Sequence, residues 1–258
     1  MPESPTLTVV IVAKNEARNI KDCVASAAFA DEVLVLDSGS SDGTPTLAAE
    51  AGARVVQTDW PGYGPQVARG FQMARGDWVL SLDADERITD ALRTEVLAAI
   101  RSNTNDGYRI PRMSEFCGKY IRHSGWRPDY TLRLGRRAVS GFTDHFLHAH
   151  MTVRGRVGDL RASLLHYSYP DINDVLEKLN RYSSGHARDM QGRGKSASVP
   201  RAVLAGFFAF VRTYFLRLGF LDGQHGLMLA IYNAEYTYYK YIKLMFLQSP
   251  ARRPEFPA

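Results

Sequence analysis

Over the first hundred positions, β-branched and aliphatic runs alternate with amphipathic stretches. Leu7-Thr8-Val9-Val10-Ile11-Val12-Ala13 is a short apolar run without a polar face, the pattern of a strand covered on both sides. A helix is predicted over about 17–29, with Ile20, Val24 and Ala27 inward. Residues 32–37 form a second strand ending in Asp37, and the turn cluster 38–44 leads to a helix over about 45–51. A short strand over 53–57, a Pro/Gly loop over 61–65 and a helix over about 66–74 precede the run Trp78-Val79-Leu80-Ser81-Leu82, which ends at Asp83. Strand and helix in regular alternation predict an α/β fold on a mostly parallel sheet. The strands ending at Ala13, Asp37 and Asp83 then place their polar termini at one sheet edge, where open α/β sheets bind ligands.

The stretch Asp83-Ala84-Asp85-Glu86 carries the densest chemistry. Alternate strand residues share a face, so Asp83 and Asp85 are expected to aim at one point. Two convergent carboxylates repel unless a positive group lies between them, and a divalent cation that also holds a phosphate meets that need. A solvated acidic turn capping the helix after Thr89-Asp90 is the plainer alternative. Farther on, Thr131 and Arg133 alternate with Leu132 and Leu134, as in a strand with one polar face. Residues 202–211 are apolar but shorter than a membrane span, which needs ~20 residues. With Arg201, Arg212 and Arg217 around them and a Tyr- and Lys-rich helix over 227–247, they suit an amphipathic pair at a membrane interface, or else helices packed on the catalytic domain or on a second copy. The expected organisation is 1–100, 101–198 and a helical extension with tail over 199–258.

Charge sharpens this division. The chain of 258 residues has a net charge of +5, yet residues 1–100 hold 8 Lys/Arg against 15 Asp/Glu. Residues 101–137 hold 9 against 3, and residues 138–258 hold 15 against 9. An acidic first part fits a metal site, and a basic remainder fits phosphates or an anionic membrane surface. No nucleic-acid motif appears, so no nucleic-acid partner is expected. No secretory leader is expected at the start. The two cysteines, Cys23 and Cys117, have no metal-ligand spacing and fit a reducing compartment.

The order V-V-I-V-A-K-N-E, V-L-V-L-D-S-G-S-S-D-G-T and A-R-G-D-W-V-L-S-L-D-A-D-E resembles the family 2 glycosyltransferases. That resemblance implies the nucleotide-sugar-binding glycosyltransferase A fold. It implies that Ala13, Asn15 and Glu16 line the nucleotide pocket, that Asp37 hydrogen-bonds the uracil of a UDP-sugar, that Asp83 touches the ribose or sugar, and that Asp85 holds Mg2+ or Mn2+ on the diphosphate. Ala84 and Arg69 join the donor side. The elements G-W-R-P-D-Y-T-L-R-L, Asp144 to His148, H-Y-S-Y, N-R-Y and G-F-L-D-G extend the resemblance to the lipopolysaccharide core β-1,4-glucosyltransferase-like branch. There the chain departs twice: Val67-Ala68 stand where the branch has Lys-Asn, and Leu147-His148-Ala149 where it often has Val-His-Glu.

An inverting hexosyl transfer needs a base for the acceptor hydroxyl, and Asp144 is the first candidate, with His148 second. Asp144 as a turn acid is the alternative. His166 is either a further metal ligand or a buried structural histidine. Trp126 is placed on the acceptor side as a stacking surface or else as a core residue. Arg127, Asp129 and Arg133 complete the acceptor candidates, a solvated basic face being the alternative for the arginines. The implied activity is transfer of a hexose, glucose first, from a UDP-sugar to a lipid-anchored glycan such as the lipopolysaccharide inner core. The implied location is the cytoplasmic face of the inner membrane. Transfer to polyprenyl phosphate and a non-catalytic nucleotide-binding scaffold are the other readings.

Overall fold

The computed structural model describes residues 4–143 and 150–248. In chain order the elements are β1 Leu7–Ala13, α1 Ile20–Ala27, β2 Glu32–Asp37, α2 Thr44–Glu50, β3 Arg54–Gln57, α3 Tyr63–Met73, β4 Trp78–Asp83, β5 Glu86–Arg87, α4 Asp90–Ser102 and β6 Gly107–Phe116. They continue as β7 Lys119–Tyr120, β8 Tyr130–Arg136, β9 Ser140–Phe142, β10 Met151–Val153, β11 Val157–Asp159, β12 Leu164–Tyr169, α5 Ile172–Gly192, α6 Val199–Val211 and α7 Gln224–Gln248. The chain divides into two compact units, Met1–Met113 with Pro128–Tyr167, and Ser114–Arg127 with Ser168–Ala258.

The first unit holds the expected α/β sheet. β1 pairs in parallel with β2 and β4, and β2 with β3; β8 and β6 then add antiparallel strands, giving the order β3-β2-β1-β4-β8-β6. The period-two alternation of β1 sends Leu7, Val9, Ile11 and Ala13 to a core shared with α1, α2 and α4, and Val10 to a second core with Val67 and Phe71 of α3. Helices on both faces explain why β1, β2 and β4 read as unbroken apolar runs. Gly70 lets α3 lie close to the sheet: a Cβ there would come within 2.3 Å of the Val10 side chain.

Two boundaries differ from expectation. α3 begins at Tyr63, so Gly64 and Pro65 are helical. The missing N–H of proline costs nothing in a first turn, whose amides have no intrahelical partner anyway. α1 begins only at Ile20, because the amides of Asn15, Glu16 and Ala17 are bound by Ser40, Thr44 and Asp42.

The second unit is helical. α7 packs against both α5 and α6. α5 is a helix that the sequence reading did not assign; its buried stripe of Val175, Leu179, Ser183 and Ala187 keeps strict four-residue spacing. Gly206 of α6 brings the helices together, since a Cβ would lie 3.1 Å from the Ala234 carbonyl oxygen. A core of Phe116, Ile121, Val175 and Leu229 is flanked by Trp126, Tyr169 and Tyr232. Asp222 ties the α6–α7 connection to residues 122–124. Its carboxylate accepts from the amides of Arg122 and His123 at 3.1 and 3.0 Å and from Ser124 Oγ at 3.0 Å. The helical extension is therefore present, but part of its Tyr/Lys content serves packing. Tyr232 bonds Tyr169, and Lys243 Nζ donates to Asn180, Ser183 and Ser184 of α5.

Candidate active site

The register of the parallel strands sets Ala13 beside Asp37 and Val12 beside Asp83, so the three predicted strand ends share one edge of the first unit. Asp37 is fully buried. Its Oδ2 accepts from the amides of Gly39 and Ser40 at 3.2 and 3.1 Å, while Oδ1 is buried with no hydrogen-bond donor among the described residues. The loops after β1 and β2 hold each other. Asn15, at φ 56°, donates its amide to Ser40 Oγ and receives the Ser41 amide on Oδ1 at 2.9 Å. Glu16 anchors through its amide on Thr44 and accepts from Asn19. Ala13 is buried, and its carbonyl accepts from Ser38 N at 2.9 Å. Gln66, which sequence reasoning passed over, is fully buried below this turn and donates to Ser38 and Thr58. Arg69 pairs with Asp59 at 2.7 Å and donates to Gln66.

At the end of β4 the strand alternation does not reach Asp85. The strand stops at Asp83, and Asp85 lies in the turn before β5, so period two no longer applies. The positive group beside Asp83 is Arg133. Its Nη2 donates to Asp83 Oδ2 at 2.6 Å and to Glu86 Oε1 at 2.8 Å, with only 8% of the arginine side chain exposed. Tyr63 donates to Asp83 Oδ1 at 2.6 Å, and Glu86 receives the Asp83 amide at 2.9 Å. Burial opposes ionisation of Asp83, but Arg133 outweighs it and holds the carboxyl below the usual range. Burial pushes Glu86 the other way, upward, against the pull of Arg133. Burial and the neighbouring Asp83 raise the Tyr63 phenol, which stays a donor. Arg133 thus faces these carboxylates and is buried, not part of a polar strand face. Tyr63 and Glu86 were legible only as a loop aromatic and as the last acid of D-A-D-E.

Asp85 has another partner. β5 pairs antiparallel with β12 in the register Glu86↔His166, and His166 Nε2 lies 3.5 Å from Asp85 Oδ2. A carboxylate and an imidazole side by side suit Mg2+ or Mn2+ completed by diphosphate oxygens and water. Among the described residues no group of three or more His, Cys, Asp or Glu side chains converges. Ala84 is buried between these acids.

Of the acceptor candidates, Asp129 accepts from Arg112 at 2.9 Å in the first unit. Trp126 and Arg127 belong to the second unit, where Trp126 sets its ring edge-on to Phe116 at 5.9 Å. Asp144 and His148 lie outside the described residues.

A mostly parallel sheet with an acid-bearing carboxyl edge and a mutually locked pair of loops has the architecture of a glycosyltransferase A fold. The sequence model of glycosyl transferase family 2 matches residues 8–158, and the chain belongs to that family. It is 29% identical to the lipopolysaccharide core biosynthesis glycosyltransferase LpsC of Rhizobium meliloti, over 98% of this chain and 97% of the relative. An uncharacterized glycosyltransferase of Rickettsia prowazekii is 28% identical over 92% of this chain and 86% of the relative. Among solved structures, glucosyl-3-phosphoglycerate synthase from Mycobacterium tuberculosis, in complex with Mn2+, UDP and glucosyl-3-phosphoglycerate, is 28% identical with a TM-score of 0.37. The match covers 43% of this chain and 44% of that one, so the chain spans less than half of that protein's length.

Proposed function

We propose that this glycosyltransferase moves a hexose, glucose in the first instance, from a UDP-sugar to a lipid-anchored glycan of the lipopolysaccharide inner-core type, with inversion. The observation that carries the donor assignment is the Asp37 carboxylate. A buried acceptor oxygen without a donor is costly, and the imide N–H of uracil is the complement it lacks. Asn15, Glu16 and Ala13 shape the wall of that pocket, with Arg69 and Ala84 beside it. Asp83, fixed by Tyr63 and Arg133, offers the ribose or sugar a rigid acceptor edge. Asp85 and His166 would hold Mg2+ or Mn2+, which supplies Lewis acidity at the departing diphosphate. Asp144 is assigned as the base that takes the acceptor proton, with His148 as the second candidate, and Trp126, Arg127 and Asp129 to the acceptor side, while Arg133 is taken up by Asp83 and Glu86. The acceptor class rests on the similarity to LpsC, a lipopolysaccharide core biosynthesis glycosyltransferase, and on the basic second half of the chain. Work at the cytoplasmic face of the inner membrane is supported by α6, whose outward side is apolar and exposed.

The test is a thermal-shift screen of UDP-glucose, UDP-galactose, UDP-GlcNAc, GDP-mannose and ADP-heptose, each with Mg2+, Mn2+ or EDTA. A ligand bound only by the folded state raises Tm. One UDP-sugar is expected to do so in a metal-dependent way. No response to any nucleotide would overturn the donor assignment and leave a scaffold.

A further inference from the structure

Ten residues of the second unit line a cavity of about 310 Å³ between α6, the turn after it, α7 and the segment 124–126. Arg212, Arg217 and Lys240 are its charged members, and no carboxylate lines it. Thr213 and Thr237 add hydroxyls and Asn233 an amide that also donates to Thr213; Ser124 Oγ is directed to Asp222 and Tyr236 meets His186, with Trp126 at the wall. Among the described residues none of the three cations makes an ion pair; Lys240 lies instead 5.5 and 5.3 Å from the rings of Tyr236 and Tyr241.

The backbone is bent to make this cluster. Residues Arg212–Leu216 form a π-helical turn, closed by the Arg217 amide on the Arg212 carbonyl at 2.8 Å. On a regular α-helix, residues five apart point about 140° away from each other. The wider turn lets both arginines line one cavity, and such turns are frequent at functional sites. Gly125, at φ 81°, gives Arg217 its room: a Cβ there would lie 2.2 Å from Arg217 Nη1. Three like charges brought together without a counter-charge repel one another, and a dianionic or monoanionic phosphate relieves this.

The surroundings select the phosphate's carrier. Leu204 and Phe207 on α6 are 67% and 68% exposed, and Phe208, Phe215, Leu216 and Leu221 are also more than half exposed. Val199–Leu216 has a mean hydropathy of 1.3 with 17% of it buried. An apolar surface joined to a basic pocket complements an amphiphile with an anionic head. We propose that this cavity binds the headgroup phosphate of an anionic membrane phospholipid, with the exposed side of α6 lying in the acyl region. This rests on the membrane-surface reading above and narrows it to one discrete site.

The experiment is co-sedimentation of the full chain with phosphatidylcholine vesicles and with 4:1 phosphatidylcholine–phosphatidylglycerol vesicles. Wild type is compared with Arg212→Gln, Lys240→Gln and Arg201→Gln, the last removing the same charge from α6 outside the cavity. Wild type should partition at least tenfold better onto the anionic vesicles. Arg212→Gln and Lys240→Gln should each lose about fivefold or more, Arg201→Gln clearly less, and inorganic phosphate should compete. Unchanged melting temperatures establish that the variants fold, and Arg212→Lys should regain part of the binding. Equal losses in all three variants would show a diffuse surface potential and overturn the site while leaving membrane docking intact. Wild type that ignores both vesicles would overturn docking as well. Phosphate binding without vesicle binding would overturn the lipid as the carrier.

Discussion

Arg133 Nη2 sits 2.6 Å from Asp83 Oδ2 at the edge where β4 ends, the arginine side chain buried and the aspartate partly so. With Glu86 on the same nitrogen, one guanidinium bridges two carboxylates, and Arg112 adds a second cation 3.8 Å from Glu86. Removing one member of a buried charged network is far costlier than removing all of it. Arg133→Met is expected to lower the unfolding free energy by about 3–5 kcal/mol, read from urea denaturation. Adding Asp83→Asn and Glu86→Gln should recover much of that loss. A single-variant cost under about 1 kcal/mol, the level of an exposed pair, would remove the network from the fold's stability.

Glu86 gives that network a pH dependence. Burial pushes its pKa to about 7 from an ordinary 4.5. Between those values the folded chain binds more protons than the unfolded one, so this group's contribution to stability is complete below about 4.5 and is lost as pH rises through about 7. Glu86→Gln should flatten that slope in Tm-against-pH curves across this window. A slope that survives the substitution would place the titration elsewhere.

Asp37→Asn should weaken UDP binding by roughly ten- to a hundredfold, the scale of one charge-assisted hydrogen bond. Isothermal titration is the readout. Oδ2 faces two backbone amides, so some loss of stability is expected too, and the binding loss must exceed it. Undiminished UDP affinity would assign the unpartnered oxygen to something other than the base.

Asp85→Asn should abolish the stabilisation that Mn2+ adds to bound UDP, and with it sugar transfer, while leaving the ligand-free Tm within about 1–2 °C. Asp85 is partly exposed, with His166 3.5 Å away, so little packing depends on it. A full metal response in the variant would remove Asp85 as a ligand.

Asp222→Ala should destabilise the second unit by about 3 kcal/mol, since it strips acceptors from two backbone amides and a hydroxyl. Burial disfavours the charged form, but those donors prevail and lower the carboxyl's pKa. Its contribution is therefore present above the ordinary carboxylate value and lost as pH falls through the lowered one. Near-ultraviolet circular dichroism between pH 6 and pH 2.5 should show the variant losing less signal than wild type. Equal acid sensitivity would point to other carboxylates.

The sheet was legible in the sequence because β1, β2 and β4 are buried on both sides and their composition says so. Pairing partners were not. Arg133 stood out as a cation in an alternating strand, and nothing local indicates that Asp83 and Glu86, about fifty residues earlier, take up its hydrogen bonds. His166 beside Asp85 likewise depends on the β5–β12 register, a long-range property. Alternation gives no placement for Asp85, because the strand ends at Asp83, two residues before it. In the helical unit, Tyr and Lys were visible, but their facing was not: Lys243 turns to α5, whereas Lys240 lines the cavity.

The second unit is assembled from segments far apart in the chain. Phe116, 1% exposed, packs on Tyr232 at a ring distance of 6.3 Å. During synthesis at ~5–20 residues per second, Phe116 leaves the ribosome roughly 6–23 s before its partner. For that interval Phe116, Ile121 and Trp126 have no α7 to cover them. The nascent chain is then a client for holdase chaperones, and a messenger truncated before α7 yields an aggregation-prone fragment.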